Sequence, residues 1–306
     1  MKVYHHTSEA AGKIPNAVVT TGSFDGVHVG HKMIIQRLNQ IAREINGESV
    51  LITFYPHPRQ VLYPEQKDLK LINSQEEKIE LLSKAGLDNL IILPFSVEFS
   101  KTTSRDFVMH MLIEHLQAKV IVVGYNHHFG HARQGDYSYL HTLSREVGFE
   151  VEEIPLKLIE NETVSSTKIR KALKEGNIQR ANAYLDHQYI IKGPLYAGKL
   201  INQSDKQPLI GIQVTATEKL IPPPGIYAGN ILVEDRWLKV MTFIGADKSG
   251  HKFIENQPIY DSFTLDGQQA TLYFYKLVWP GNPANNGEIN DRVVEEAREM
   301  VEELIY

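Results

Sequence analysis

Apolar residues along this chain follow two different rhythms. In the first half, short runs rich in Val and Ile stand at 17–21 (AVVTT), 50–54, 89–95 (NLIILPF), 119–124 (KVIVVG) and 149–154 (FEVEEI). Between them lie longer stretches whose apolar positions recur every three or four residues, at 31–46, 75–86, 103–117 and 136–148, with helix-rich sequence continuing from 166 to 185. A short run with no polar alternation reads as a strand covered on both faces, and the longer stretches read as amphipathic helices. Strand and helix in alternation predict a parallel α/β sheet, with Gly47 and Gly86 ending two of the helices.

After Asp186 the pattern changes. Prolines cluster tightly, as in IPPPGIY, and short alternating stretches appear in GNILVED, WLKVMTF and ATLYFYKLVW. This predicts half-buried strands in a compact antiparallel barrel or sandwich. PGNPANNGEIND reads as a polar loop, and DRVVEEAREMVEELIY as a closing amphipathic helix. The expected division is 1–186 for the α/β domain and 187–306 for the barrel with its helix.

Composition narrows the partners. With 306 residues, 42% of them hydrophobic, the chain can bury two cores. A net charge of -5 argues against broad nucleic-acid binding, so an anion must be held locally. No apolar run approaches the roughly 20 residues that span a bilayer, and MKVYHHTSEA lacks the features of a secretory signal. The absence of cysteine excludes disulfides and thiolate metal sites. The expectation is a cytoplasmic protein with no nucleic-acid and no membrane partner.

The first candidate chemistry is GSFDGVHVGH at 22–31. A strand running into a glycine-rich turn, then a helix starting near Gly30, presents backbone N–H groups and the positive end of a helix dipole, which suits a phosphate. With His31 opening the helix and His28 in the turn before it, the i, i+3 spacing brings both imidazoles to one side. Gly30 would let a ligand approach the main chain. The same residues also fit a plain turn with two exposed histidines. No cysteine or nearby acidic residue completes a zinc set.

The second is VSSTKIRKALKEG at 164–176. Ser165 or Ser166 can cap a helix ending at Gly176, and Arg170 lies one turn beyond Ser166 and Thr167. Hydroxyls, N–H groups and a guanidinium suit a polyphosphate tail. A capped amphipathic helix with a solvated basic face would use the same residues.

GSFDGVHVGH, TFYPHP, LPFSVEFSKTTSRDFV, VVGYNHHFG, RQGD and VSSTKIR follow one another here in the order and spacing of a known family. Across its first domain the chain resembles the prokaryotic bifunctional riboflavin kinase/FMN adenylyltransferases, also called FAD synthetases. The resemblance implies a nucleotidyltransferase domain with a Rossmann-like parallel sheet, which moves AMP from ATP to the phosphate of FMN and yields FAD and pyrophosphate. It implies that His28 and His31 contact the ATP phosphates, His31 at the α-phosphate, and that Ser166, Thr167 and Arg170 hold the β and γ groups. It also implies that Asn126 touches the nucleotide, that Gly22, Phe24 and Gly30 shape its pocket, and that Pro56, His57 and Pro58 border the flavin. Mg2+ would accompany ATP through phosphate oxygens and water, with no protein ligand assigned. His127 stands where the family usually carries an aromatic residue.

IPPPGIYAG resembles the family's riboflavin kinase barrel, but the kinase motif departs from it. Val214-Thr215-Ala216-Thr217 replaces Pro-Thr-Ala-Asn, and Thr217 cannot copy the paired donor and acceptor of an amide. Thr215 remains as a metal or phosphate contact, and Glu255 as the counterpart of the base that deprotonates the riboflavin hydroxyl. The expectation is FAD synthesis with kinase activity lost wholly or in large part. Three alternatives stand beside it. One is a fully bifunctional enzyme; another is a related nucleotidyltransferase with a different phosphate acceptor, such as nicotinate mononucleotide or phosphopantetheine, against which IPPPGIYAG counts. The third is a non-catalytic flavin-binding regulator, which would not require His28, His31 and Arg170.

Overall fold

A computed structural model describes residues 1–66, 69–125, 127–155, 158–159, 162–198, 209–246, 250, 252–260, 267–282 and 291–304. Asn126 and most of the polar loop, residues 283–290, lie outside the described residues. The chain divides into two compact units, Met1–Leu69 with Lys78–Val164, and Lys70–Glu77 with Ser165–Tyr306.

In the first unit, β1 (Lys2–Tyr4), β2 (Val18–Thr21), β3 (Ser49–Tyr55), β4 (Asn89–Pro94), β5 (Val120–Gly124) and β6 (Glu150–Ile154) make one parallel sheet in the order β1-β4-β3-β2-β5-β6. Its apolar runs are continuous because both faces are covered. Val19, Ile52, Ile91 and Ile121 share one core with Phe107, Val108, Leu112, Leu140 and Leu143. Their neighbours in sequence pack on the other side, Leu51 and Leu90 with Ile35 and Leu82, and Val18 and Val122 with Leu38 and Ile41. The helices of this unit are α1 (Thr7–Ala10), α2 (Val29–Glu44), α3 (Pro58–Leu62), α4 (Gln75–Lys84), α5 (Ser104–Asp106) and α6 (Tyr137–Val147), α4 beginning in the residues of the second unit. A two-strand hairpin, β7 (Leu158–Ile159) with β8 (Glu162–Thr163), follows β6.

Two elements differ from the periodicity reading. The helix expected over 103–117 is one α-helical turn that continues as a π-helix over Phe107–His115. It buries Phe107, Val108 and Leu112, spaced i, i+1 and i+5, which suits the wider i→i+5 winding. The edge strand β1 carries no pattern, because its first two residues are exposed.

In the second unit, β9 (Tyr189–Ala197), β10 (Ile210–Ile212), β11 (Gly225–Val233), β12 (Arg236–Ala246), β13 (Lys252–Pro258) and β14 (Gln269–Pro280) close an antiparallel barrel in the order β10-β13-β12-β11-β14-β9. The rings of Tyr189 and Tyr227 flank Phe274 inside it, at 5.7 and 5.6 Å between centroids. Helix α9 (Asp291–Leu304) lays Val294, Ala297 and Val301 on Ile226, Ala228, Met241 and Phe243, so the closing helix belongs to the barrel. Helices α7 (Ser166–Lys174) and α8 (Ile178–Leu185) also fall in this unit.

Residues 70–77 join the barrel through a connection the sequence does not announce. Leu71 N–H donates to the Glu218 carbonyl at 2.7 Å, and Leu220 N–H donates to the Leu71 carbonyl at 2.8 Å. Between them Lys219 Nζ reaches Glu77 Oε2 and the Ile72 carbonyl at 2.6 Å and the Ile190 carbonyl at 2.7 Å. Both charged side chains are 1% exposed, and the three acceptors satisfy the ammonium.

Candidate active site

From β2 the sheet steps to β3 and β4 on one side and to β5 and β6 on the other, so the carboxyl ends of β2 and β5 form the crevice where open α/β sheets bind ligands. The chain leaves β2 through Gly22, whose N–H donates to the Ile52 carbonyl at 2.9 Å. Three residues in this turn have positive φ: Phe24 at 47°, Gly26 at 95° and Val27 at 41°. Non-glycine residues there cost roughly 1–2 kcal/mol each, and burial of Phe24 and Val27 beside Ile35, Leu51 and Leu90 offsets it. The Phe24 ring folds back so closely that a Cβ at position 22 would lie 3.0 Å from it. Only glycine fits without displacement.

Helix α2 begins at Val29 with His28 as its N-cap. His28 Nδ1 accepts the His31 N–H at 3.4 Å, which leaves the proton of a neutral ring on Nε2. The two imidazoles stack with centroids 3.6 Å apart and planes 15° from parallel. On the far side His31 stacks on Phe24 at 4.3 Å. The expected placement of both rings on one side is what the structure has, but the His28 ring takes up an N–H group that the sequence reading assigned to phosphate. Gly30 lies against that ring, 3.4 Å from the position of a Cβ.

Burial pushes the His31 imidazole well below its ordinary pKa, and the charges of His28 and Lys78 push the same way. Its Nδ1 is buried with no hydrogen bond among the described residues. His31 is therefore neutral at physiological pH.

Lys78 was not singled out in the sequence. From α4 its Nζ donates to the Ser23 carbonyl and to Thr53 Oγ1, both at 3.3 Å, and Thr53 donates to the same carbonyl at 3.2 Å. Burial lowers its pKa to about 8, against the opposing attraction of buried Asp25. The sequence signal was its place four residues before buried Leu82, on the apolar stripe of the helix.

The carboxyl ends of β3, β4 and β5 carry a connected set of aromatic rings. Phe54 meets Phe95 at 5.7 Å and Phe99 at 5.8 Å, Phe99 meets Phe107 at 6.4 Å, and Phe107 meets Phe129 at 5.9 Å. His127 takes the place of an aromatic residue by stacking on Phe129 at 5.9 Å, while its Nε2 bonds Thr21 Oγ1 at 3.0 Å. Burial brings its pKa down to about 4. Pro56 is exposed, Pro58 opens α3, and His57 is a buried N-cap whose Nδ1 accepts the Arg59 N–H at 3.2 Å.

The other expected residues lie in the second unit. Ser165 caps α7 by accepting the Lys168 N–H at 3.4 Å, so Ser166 is the first helical residue and Thr167 is exposed. Arg170 is 9% exposed and donates from Nε to the Lys70 carbonyl at 3.0 Å. Thr215 is exposed in the loop after β10. Glu255 is buried on β13, facing Gly211 and Phe243 across the strands, and with burial it raises the Tyr196 phenol pKa. The Thr217 carbonyl accepts Lys70 Nζ at 2.7 Å. Among the described residues, no three histidine or acidic residues group to hold a metal, and no helix is long and apolar enough to cross a membrane.

The FAD synthetase family model matches residues 11–168. The bifunctional riboflavin kinase/FMN adenylyltransferase of Listeria monocytogenes is 29% identical over 272 residues, covering 87% of this chain and 85% of that protein. The protein of the same name from Buchnera aphidicola subsp. Acyrthosiphon pisum is 31% identical over 269 residues, with 86% and 85% covered. A crystal structure titled macrolide-efflux protein from Streptococcus pneumoniae superposes with a TM-score of 0.86 at 23% identity over 99% of both chains, a likeness of fold. With its family model spanning the stacked imidazoles and strands β2 to β6 of their sheet, the chain belongs to the FAD synthetase family.

Proposed function

We propose that this protein makes FAD by transferring AMP from ATP to FMN. An FMN phosphate oxygen attacks the α-phosphorus in line, the bond to the bridging oxygen of the β-phosphate breaks, and pyrophosphate leaves. No covalent enzyme intermediate is needed; positioning and charge neutralisation supply the rate. The observation that carries the reading is the Phe24–His31–His28 stack at the carboxyl edge of β2. His28 and His31 donate hydrogen bonds to phosphate oxygens, His31 toward the α-phosphate, and the departing charge is met by Ser166, Thr167 and Arg170. Asn126 contacts the nucleotide. Mg2+ would accompany ATP and neutralise phosphate charge, with no residue of this chain assigned to hold it. The aromatic set around Phe54 and Phe129, bordered by Pro56, His57 and Pro58, suits an isoalloxazine ring. By chemistry the transferase is 1–186 and the kinase-like barrel 187–306, a division that differs from the packing units. The reaction belongs to the cytoplasm, where ATP is supplied.

We also infer that the barrel has lost most of its riboflavin kinase activity. The replaced Pro-Thr-Ala-Asn motif supports this, as does the use of the Thr217 carbonyl by Lys70. Retention of Glu255 in the barrel wall favours the fully bifunctional reading. One assay separates them: purified protein with MgATP and either FMN or riboflavin, products resolved by chromatography. FAD from FMN alone is the expected result. FAD from riboflavin restores bifunctionality, and no flavin product from either overturns the transferase.

A further inference from the structure

Lys78 is a buried cation on α4, and nothing in the sequence pattern assigns it chemistry. Its Nζ is held by the Ser23 carbonyl and Thr53 Oγ1, which are themselves bonded to each other. That triangle ties three elements together: α4, the carboxyl end of β3, and the turn that carries the imidazoles. The residues facing the ammonium are Asp25 in the turn, Thr53 on β3 and His31 on α2. Asp25 attracts the ammonium, and His31 is driven further toward the neutral form.

We propose that Lys78 is a positioning residue for adenylyl transfer, its ammonium locking the Ser23 carbonyl to Thr53 and so fixing the strained turn that mounts Phe24, His28 and His31. The inference rests on the function proposed above. A lysine is an expensive group to bury, and a purely structural tie between a carbonyl and a hydroxyl needs no charge. What the charge adds is a cation that Asp25 attracts and that disfavours protonation of His31. A protonated His28–His31 pair at 3.6 Å would repel itself and open the stack.

The test uses the full chain and three variants, with two readouts. Steady-state FAD formation from FMN and MgATP gives kcat and KM from pH 6 to 10. In the wild type kcat is expected to fall above about pH 8, as Lys78 loses its proton. Lys78→Met should lower kcat at pH 7 by about tenfold or more with KM for ATP changed less than about threefold, the signature of an interaction realised in the transition state. Lys78→Arg, which keeps its charge at every accessible pH, should retain most of the activity and lose the alkaline limb. The second readout is the His31 imidazole titration by NMR in protein free of nucleotide. Removing the neighbouring charge in Lys78→Met should move its midpoint upward. Wild-type kcat in Lys78→Met, or a His31 midpoint that does not move, overturns the proposal. If the wild type makes no FAD, the functional reading fails on its own, and the His31 midpoint still decides the role of Lys78. Should Lys78→Met not fold, Thr53→Ala removes the hydroxyl and keeps the lysine; about a threefold loss in kcat is expected, and none would end the idea.

Discussion

The rings of His28 and His31 lie 3.6 Å apart with their planes 15° from parallel, and the first also caps the helix on which the second sits. One side chain thus has two jobs. His31→Ala should cost about a hundredfold in kcat, as loss of one transition-state donor does, while the α2 cap stays in place. His28→Ala should lose activity and about 1 kcal/mol of stability as well, because the N-cap goes with it. Steady-state kinetics and urea unfolding of both variants separate the two roles. A His28→Ala variant as stable as the wild type would remove the cap from the account.

Acid should destabilise the fold in a defined window. His127 titrates near 4 in the folded chain, against 6.5 ordinarily, because burial disfavours its charged form. Between those values the unfolded state binds a proton that the native state refuses, so stability falls as pH drops from about 6.5 to 4. His31, also lowered by burial, adds in the same sense. Urea midpoints at pH 7, 6 and 5 read the slope, and His127→Phe should flatten it. An unchanged slope in that variant contradicts the assignment.

Lys219 and Glu77 form a buried pair at 2.6 Å. Glu77→Ala leaves an ammonium without its carboxylate in the interior and should destabilise the second unit by about 3–5 kcal/mol. Replacing both, as Glu77→Leu with Lys219→Met, should recover much of that loss, since the desolvation cost disappears with the charges. Equilibrium unfolding of the single and double variants tests this, and a double variant no better than Glu77→Ala would refute it.

Phe129 joins the aromatic set of β3 and β4 to His127. Phe129→Ala should raise KM for FMN about tenfold, given the roughly 1–3 kcal/mol that an aromatic stacking partner contributes, while KM for ATP moves little. Equal effects on both substrates would place the flavin elsewhere.

The strands and helices of the first unit were legible because each is specified by its own residues. Val18–Thr21 and Val120–Gly124 are apolar on both faces, and such a run buries itself wherever it is covered. Helix α7 ends near Gly176 (φ 74°) and α6 at Gly148 (φ 90°), stops that glycine makes cheap. The imidazole pair was legible for the same reason, since three residues along a helix start is a local distance. Whether the closing helix packed on the barrel was not legible, because an apolar stripe of Val294, Ala297 and Val301 states a need for cover and not its source.

What waited for the tertiary structure were pairings between residues distant in the chain. Lys78 and Glu77 are neighbours in a charged stretch, EEKIE, whose residue types do not say what partner either charge finds. Folding buries one beneath the Ser23 carbonyl and gives the other to Lys219. Arg170 reads as a free guanidinium until the Lys70 carbonyl is found against it. Periodicity encodes which side of an element is apolar, a property of the local backbone. A buried charge is tolerated only where distant partners happen to converge, and that convergence exists nowhere but in the folded chain.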